Sequence, residues 1–493
     1  MSEPRIASPA PVPTTPTTAT TPASPLPSPS SPPAGLTPLG LATVLLGAAL
    51  PFLDFFIVNV ALPTIGRDLD AGPALLEMVV GGYGVAYAVL LVLGGRLGDM
   101  VGRRRLFLWG TAAFGVTSVA CGLAPDAWTL VVARVAQGAA SALMLPQVLA
   151  TIQATTSGTR RTKALSLYSG TAGVVSAVGQ VLGGVLVSVD LLGTGWRSIF
   201  LINAPVAVVA LVLAVRSVPE TRSENPTRVD WWGTVLLSVS LVSLLVPLTE
   251  GRSTGWPLWS WVLLAVFPCA AAAFVLVELR EERAGRMPLV PPSLLRVHAV
   301  RSGLTLIVPF SIGWGGFMFV LAVALQEGLR LGPMAAGLAL VPMCVTFFAG
   351  SLAGPRLAVR YGRRLATAGA LIQGAGLAVV AATFWFGWND GLGALGLAPG
   401  LAIQGLGQGI LMPLTIRLVL SEVPVDRAGV GSGVLVTTQQ AFMALGVATL
   451  GSLFLSLAPG SGMRDALAIT LGVQLVAVAA TVLLTFRLPR GVR

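Results

Sequence analysis

The segment GGRLGDMVGRRR, from Gly94 to Arg105, separates two long apolar runs of this chain. Four arginines and one aspartate stand in these twelve residues, and such charges are costly inside hydrocarbon. The apolar runs on either side each reach about 18 residues or more, the length at which a helix can cross the hydrocarbon core of a bilayer. The segment therefore predicts a charged turn at a membrane surface that joins two membrane-spanning helices.

Apolar runs of this kind recur along most of the 493 residues. Apolar residues make up 54% of the chain and charged residues only 10%, whereas soluble globular proteins carry roughly 25% charged residues. We predict an all-α polytopic membrane protein that sits in a lipid bilayer with fourteen transmembrane helices. The approximate ranges of these helices are 38–62, 75–98, 106–124, 128–150, 164–189, 198–216, 232–249, 258–279, 303–326, 335–354, 365–388, 392–420, 430–457 and 465–487.

The positions of the basic residues predict how the chain is oriented. The net charge is +11, but the arginines form short clusters between apolar runs, which indicates topology and not nucleic-acid binding. If the N-terminus is cytoplasmic, 25 of the 31 Lys and Arg residues fall on the cytoplasmic side, five fall outside, and Arg134 lies within a helix. This distribution satisfies the positive-inside rule. We expect a multi-pass protein of a bacterial cytoplasmic (inner) membrane with both termini cytoplasmic.

A second copy of the charged turn, GPRLAVRYGRR at 354–364, predicts an internal repeat. Secondary transporters are often built from such repeats, although chance similarity between two basic turns is an alternative. The first residues are rich in Pro, Ser and Thr and cannot form a core. The predicted division of the chain is a disordered cytoplasmic tail at 1–36, a six-helix bundle at 37–218, a two-helix insertion at 229–280, a second six-helix bundle at 300–487, and a cytoplasmic C-terminus at 488–493.

Several segments carry a resemblance to a known family. They are LDFFIVNVALP at 53–63, the charged turn at 94–105, RVAQGAASA at 134–142, WRSIFLINAPV at 196–206 and VDWWG at 229–233. With them, the chain resembles the fourteen-span drug:proton antiporters of the major facilitator superfamily. The resemblance covers nearly everything after the tail, and it implies the major facilitator fold of two six-helix bundles plus two extra helices. Phe56 stands where this family usually has threonine, and Gln180 where it has proline.

Asp54 and Arg134 are the candidate proton-coupling residues. A carboxylate inside a membrane helix is costly and is retained mainly where it works. Both residues lie at similar predicted depths below the outer membrane surface, so Arg134 is placed to hold or release the Asp54 carboxylate. The resemblance implies the same, because the matching arginine of the family assists proton transfer. As alternatives, Asp54 only caps or pairs within the bundle, and Arg134 only packs against helix carbonyls.

The charged turn is the candidate cytoplasmic latch, because the family's matching loop holds the cytoplasmic helix ends together. Its glycines allow close backbone approach and a tight turn, and its aspartate is expected to face two arginines. The alternative is that these arginines only set the topology. In the second copy Val359 replaces the aspartate, so no latch is expected there. The latch residues are Gly95, Gly98, Asp99, Gly102, Arg103 and Arg104.

The resemblance also implies an antiporter motif on the fifth helix, where small residues allow a close helix crossing. Its glycines are Gly170, Gly179, Gly183 and Gly184. Candidate cavity residues are Phe55, Asn59, Gln137, Trp314, Gln326 and Glu327. For Glu327 the alternative is a rim carboxylate paired with Arg330, and for the helix of Trp314 an ordinary lipid-facing aromatic helix.

Metal, cofactor and enzyme chemistry are not expected. Cys121, Cys269 and Cys344 are isolated in separate apolar runs and are predicted to be core thiols, and His298 is the single histidine. No phosphate-binding loop GxxxxGK[ST] occurs. The expected function is proton-coupled export of small amphipathic compounds by alternating access, with protons as co-substrate, no cofactor and no obligate protein partner. The alternatives are a dedicated exporter of a host-made natural product and, in another class, a non-transporting membrane sensor.

Overall fold

Proline, glycine and capping side chains set the ends of the long helices. In the computed structural model, Thr37 caps the first helix by accepting a hydrogen bond of 3.0 Å from the amide of Gly40, with proline in the first turn. Asp126 caps the fourth helix in the same manner, through the amide of Thr129 at 2.9 Å. Side-chain oxygens at this position satisfy amides that have no partner within the helix.

The structure describes residues 35–189, 193–222, 230–251, 254–286, 288–388, 393–424, 427–486 and 488. Nearly all of the predicted tail at 1–36 and most of the predicted C-terminus at 488–493 lie outside these residues. Within them the α-helices are α1 (Pro38–Asp68), α2 (Pro73–Val101), α3 (Arg103–Gly122), α4 (Ala127–Thr155), α5 (Gly158–Val189), α6 (Ser198–Leu201), α7 (Asn203–Ser217), α8 (Trp231–Glu250), α9 (Leu258–Arg283), α10 (Pro292–Arg296), α11 (His298–Val323), α12 (Pro333–Ala339), α13 (Val341–Tyr361), α14 (Arg364–Gly387), α15 (Ala398–Ser421), α16 (Ala428–Gly446), α17 (Ser452–Ser461) and α18 (Met463–Thr485). Short π-helical turns follow α11 and α16.

Each of the fourteen predicted ranges overlaps a helix of the structure. Twelve segments of the described residues are long and apolar enough to cross a membrane. The helices α3 and α5 fall outside that set, so a count of fourteen transmembrane helices stays a prediction. Several helices are longer than predicted, and α1 continues to Asp68 although Pro63 and Gly66 lie in its last two turns.

In both copies of the charged turn, a glycine with a positive φ ends the first helix. Gly102 ends α2 with a φ of 115° and Gly362 ends α13 with a φ of 54°, values that residues with a side chain rarely adopt. In each copy a new helix begins within two residues of this glycine. Val359, at the position that matches Asp99, is 75% exposed, so the second copy has no buried latch residue there.

Glycines also bring the helices into close contact. A Cβ on Gly94 of α2 would lie 2.1 Å from the carbonyl oxygen of Ala142 on α4, and a Cβ on Gly409 of α15 would lie 2.1 Å from that of Phe347 on α13. Small residues permit such close crossings in membrane helices. The predicted division into two six-helix bundles and a two-helix insertion stays a prediction, because these contacts alone do not define its boundaries.

The helix α9 lies at the outside of the molecule and corrects one prediction. Only Ser260, Ala270 and Glu278 are buried on this helix, and Cys269 is exposed. The prediction that all three cysteines are core thiols is therefore wrong for Cys269, because no described helix covers this face of α9. The other two cysteines are buried.

Candidate functional site

The centre of the candidate site is a buried ion pair between Asp54 of α1 and Arg134 of α4. Nη1 of Arg134 contacts Oδ2 of Asp54, and both side chains are fully buried. Sequence reasoning placed the two residues at similar depth, and the structure brings them into direct contact. A buried carboxylate requires a partner of this kind, because an isolated charge in a low-dielectric interior is very unfavourable.

Two side-chain amides complete the coordination of the carboxylate. Nε2 of Gln137 donates to Oδ1 of Asp54 at 3.0 Å, and Nδ2 of Asn203 on α7 donates to the same oxygen at 2.9 Å. Both amides also donate to Oγ of Ser118 on α3 at 3.0 Å. Four helices therefore meet in this cluster, and two of them, α4 and α7, donate to the carboxylate of Asp54. Donors of this kind favour an ionised carboxylate.

Arg134 is held from three directions. Its Nε donates to the carbonyl of Val79 at 3.1 Å and its Nη1 to Oε1 of Gln137 at 2.8 Å. Its guanidinium carbon lies 4.2 Å from the ring centroid of Tyr83, which is a cation–π arrangement. These contacts position the guanidinium in addition to its ion pair with Asp54.

An aromatic cavity lies next to the Asp54 cluster. Phe55, the neighbour of Asp54 in the chain, forms part of its wall and lies 6.2 Å from the ring of Tyr83, centroid to centroid. Trp314 of α11 lines the opposite wall, with its ring centroid 5.3 Å from that of Phe347. The remaining lining residues are Pro51, Phe52, Phe56, Tyr87, Ala172, Gly173, Met412, Gln439, Gln440 and Met443.

Of the predicted cavity residues, Phe55 and Trp314 therefore line the cavity. Gln137 belongs to the Asp54 cluster, and the side chain of Asn59 is outside the described part of the structure. Gln326 and Glu327 lie in the π-helical turn after α11 and do not line the cavity. Glu327 is exposed, and no ion pair joins it to Arg330 within the described residues.

The charged turn forms a second buried cluster around Asp99 at the end of α2. Arg103 donates to Oδ1 of Asp99 from Nε at 3.2 Å and from Nη2 at 2.8 Å. The backbone amides of Gly429 and Val430, at the start of α16, also donate to this carboxylate at 3.2 Å. Asp99 thus caps a helix that begins more than 300 residues later, where a negative charge is favourable.

The glycines of the turn allow this approach. A Cβ on Gly95 would lie 2.2 Å from the carbonyl oxygen of Gly429, and a Cβ on Gly98 would lie 1.8 Å from Oε1 of Gln147 on α4. The expectation that Asp99 faces Arg104 as well as Arg103 is wrong. Arg104 donates instead to the carbonyl of Val215 on α7, because consecutive residues of a helix point about 100° apart around its axis.

The glycines of the fifth helix face two different helices. A Cβ on Gly170 would lie 2.6 Å from the ring of Phe348 on α13, whereas a Cβ on Gly179 would lie 3.1 Å from the carbonyl oxygen of Leu53 on α1. Gly183 and Gly184 are buried. The side chain of Gln180 lies outside the described part of the structure. The segment therefore packs closely against α1 directly beside Asp54.

Asn203, Ser118 and Tyr83 belong to the Asp54 cluster but were not singled out by sequence reasoning. Asn203 lies in the segment WRSIFLINAPV, whose resemblance to the family was noted without assigning this residue a role. Its signal was available, since an amide side chain inside an apolar run must find a partner in the membrane. Ser118 and Tyr83 had no such signal, because both residue types are common on ordinary membrane helices.

A comparison with known proteins identifies this arrangement. Residues 44–447 match the sequence profile of the Major Facilitator Superfamily, which covers most of the chain. The chain belongs to the major facilitator superfamily. The crystal structure of the human organic anion transporter TETRAN is similar to it, with a TM-score of 0.62 and 16% identity over 90% of this chain and all of that chain. At this identity the likeness shows the fold alone.

Curated relatives define the type of facilitator. The chain is 38% identical to a probable actinorhodin transporter of Streptomyces coelicolor, over 84% of this chain and 72% of that protein. It is 32% identical to a tetracenomycin C resistance and export protein of Streptomyces glaucescens, over 84% of this chain and 76% of that protein. It is 30% identical to a multidrug resistance protein of Mycobacterium tuberculosis, over 83% of this chain and 74% of that protein. The protein is therefore a multi-pass membrane transporter of the drug and antibiotic efflux type.

Proposed function

We propose that this facilitator exports small amphipathic compounds in exchange for protons by alternating access. The observation that carries the proposal is the position of Asp54, a buried membrane carboxylate that adjoins the wall of an aromatic cavity through Phe55. Intramembrane carboxylates of this kind typically mark proton relays. Protonation of Asp54 removes the charge that holds Arg134, Gln137 and Asn203 in their present arrangement.

The buried state of Asp54 supports alternation between two conformations. A group with no exposed surface cannot exchange protons with water unless the surrounding helices move. Gly179 of α5 packs beside Leu53 and Phe56, the neighbours of Asp54 on α1. A change of charge at Asp54 is thus positioned to alter the packing of α1 against α5, and with it the width of the cavity.

The Asp99 cluster is proposed to act as the cytoplasmic latch of this cycle. Its carboxylate joins the end of α2 to the start of α16, two helices that are far apart in the chain. Opening the cytoplasmic side requires these two contacts to break. Because Arg103 is only four residues from Asp99, at the start of the next helix α3, it keeps the carboxylate paired when α16 moves away.

We propose further that the protein has fourteen transmembrane helices with both termini in the cytoplasm, divided into bundles at 37–218 and 300–487 with an insertion at 229–280. The exposed residues of α3 support its assignment as a membrane span, because they include Trp109 and Val116. An apolar face of this kind suits lipid. The 32 residues of α5 exceed the roughly 20 that a spanning helix needs.

A second candidate is a dedicated exporter of one natural product made by the host cell. The relatives named for export of actinorhodin and tetracenomycin C favour it. The aromatic wall of the cavity, with Phe55, Phe56 and Trp314, suits flat polycyclic compounds under either proposal. The two candidates differ only in how many compounds are carried.

The test is efflux from pump-deficient cells that express the wild type, Asp54→Asn or Asp126→Asn at matched membrane levels. Asp126 is the control, because it is an exposed helix cap and asparagine caps equally well. We expect several fluorescent amphipaths to leave faster with the wild type and with Asp126→Asn, and this gain to vanish with Asp54→Asn or with a protonophore. Efflux that survives both treatments would contradict coupling through Asp54, and efflux of one compound alone would favour the dedicated exporter.

A further inference from the structure

A second buried pair of carboxyl groups lies where the helices α8 and α9 meet, apart from the Asp54 cluster. Asp230 caps α8, with Oδ1 accepting from the amide of Gly233 at 2.8 Å. Glu278 lies near the end of α9 and is only 1% exposed. Its Oε2 accepts from the amide of Val290 at 2.6 Å, in the segment that leads to α11.

The other two oxygens of this pair lie beside Gly233. A Cβ on Gly233 would lie 2.3 Å from Oε1 of Glu278 and 2.6 Å from Oδ2 of Asp230, so both oxygens converge on one point. Both atoms are buried, and no N–H group of the described residues donates to either. A buried carboxylate oxygen without a donor is unfavourable, and two carboxylates that share one site disfavour each other's ionisation.

Among the described residues, Arg96 is the buried cation that interacts with both carboxyl groups. Arg96 of α2 attracts both carboxyl groups, but it also interacts with Asp99 and is repelled by Arg427. On α9 itself, Glu281 pairs with Arg286 at 3.1 Å and Glu282 accepts from the amide of Ser293 at 3.0 Å. One buried arginine is therefore shared among three buried or partly buried acids.

We propose that Asp230 and Glu278 bind one proton between them, and that this shared proton fastens α8 to α9 and to the segment before α11. The proton supplies the donor that neither oxygen has among the described residues. When it leaves, two negative charges remain side by side next to Arg96 and draw its guanidinium away from Asp99. The site is a proton-binding site of the α8–α9 segment, and it does not depend on the role of Asp54.

Infrared spectroscopy of the full chain in lipid nanodiscs tests this directly, through the carbonyl stretch of a protonated carboxylic acid in pH-difference spectra. We expect a band in the wild type at neutral pH that is lost in Glu278→Gln and in Asp230→Asn. The band should be retained in Glu281→Gln, an acid on the same helix that already has a cationic partner. The same spectra are recorded in an Asp54→Asn background, where Asp54 cannot contribute a carboxylic acid band. The band of the Asp230–Glu278 pair should persist there. Wild-type and Glu278→Gln spectra that coincide would overturn the proposal.

Thermal unfolding across pH is the second readout. The amide of Glu278→Gln replaces the shared proton with a permanent donor, and Asp230→Asn keeps a side chain that caps helices well. A group that binds its proton more tightly when folded stabilises at low pH and loses this contribution as pH rises. We expect wild type and Glu278→Gln to unfold at similar temperatures in mild acid, and the wild type to become the less stable of the two in alkali. A Glu278→Gln variant that is less stable at every pH would overturn the shared proton.

Discussion

The side-chain amide of Asn203 donates a 2.9 Å hydrogen bond to Oδ1 of Asp54, although 149 residues separate them in the chain. The bond joins the start of α7 to the middle of α1 in the interior of the protein. Since Gln137 donates to the same oxygen, Asp54 has two neutral donors in addition to Arg134. Each donor favours the charged carboxylate over the protonated acid.

Replacing Asn203 should therefore move the pH range in which the transporter works. Hydrogen bonds to charged groups contribute about 1.5–3 kcal/mol, which corresponds to about one to two pH units. For Asn203→Ala we expect the pH profile of export in proteoliposomes to shift by about that amount toward higher pH. Val208→Ala on the same helix, at a residue that is 58% exposed, is the control and should leave the profile unchanged. Equal profiles for Asn203→Ala and wild type would contradict a role for this bond in proton coupling.

The buried arginine of the charged turn should matter far more for stability than its exposed neighbour. Arg103 pairs with Asp99 at 2.8 Å and its side chain is 1% exposed, whereas Arg105 pairs with Glu220 at 3.8 Å and is 65% exposed. Breaking a buried pair costs about 3–5 kcal/mol, and an exposed pair contributes about 0–1 kcal/mol. Arg103→Gln should lower the unfolding temperature in detergent by many degrees and Arg105→Gln hardly at all. A similar decrease in unfolding temperature for the two variants would show that the Asp99 cluster contributes little to the stability of the fold.

Most of the helices could be predicted from the sequence, because apolar length alone determines which segments can cross a bilayer. The contact between Asp54 and Arg134 could also be anticipated, since two opposite charges in a membrane must find each other. The capping of α16 by Asp99 could not be predicted. Nearly every residue has a backbone amide, so the sequence does not indicate which amides a distant carboxylate will contact. Asn203 was missed for a related reason: its partner depends on how α7 packs against α1, which the apolar pattern does not specify. The exposure of Cys269 likewise depends on α9 having no described helix over its outer face.

A methyl group at position 95, introduced by Gly95→Ala, should push α2 and α16 apart. Its Cβ would meet the carbonyl oxygen of Gly429 at 2.2 Å, and backbone cannot move aside as a flexible side chain does. Gly84 of α2 is the control, because its Cβ would make an ordinary 3.8 Å contact with Phe55. We expect Gly95→Ala to reduce export by more than about tenfold, which corresponds to about 1.4 kcal/mol, and Gly84→Ala to retain most of it.

Thiol labelling in cells shows whether α2 and α16 separate in the Gly95→Ala variant. Ser432 of α16 is fully buried, so a cysteine at this position should be protected in an otherwise wild-type chain. The exposed Cys269 is replaced by serine in all variants. We expect Ser432→Cys to react with a soluble maleimide when combined with Gly95→Ala but not with Gly84→Ala. Protection in both combinations would mean that the contact tolerates the methyl group.

At the far end of α1, Asp68 should make stability depend on pH only in acid. Its Oδ2 accepts from Nε1 of Trp196 at 2.8 Å and from Nη1 of Arg197 at 2.6 Å. The hydrogen bond from Trp196 and then that from Arg197 lower the pKa of this carboxyl group below its ordinary value. A carboxyl group with a lowered pKa stabilises the folded state above the pKa of the unfolded chain, about 3.9, and loses this effect as pH falls through the folded pKa.

The difference in unfolding temperature between wild type and Asp68→Asn should therefore be constant from neutral pH down to about pH 5 and shrink below about pH 4. Because the carboxyl group is partly exposed, water screens the ion pair and the difference at neutral pH should be modest. Asp70→Asn is the matched control, since Asp70 is exposed with a φ of 47°, which asparagine also adopts. If the wild type loses no stability relative to Asp68→Asn in acid, the bonds to Trp196 and Arg197 do not depend on the charge of Asp68. The outer end of α1 would then be held to the start of α6 by packing alone.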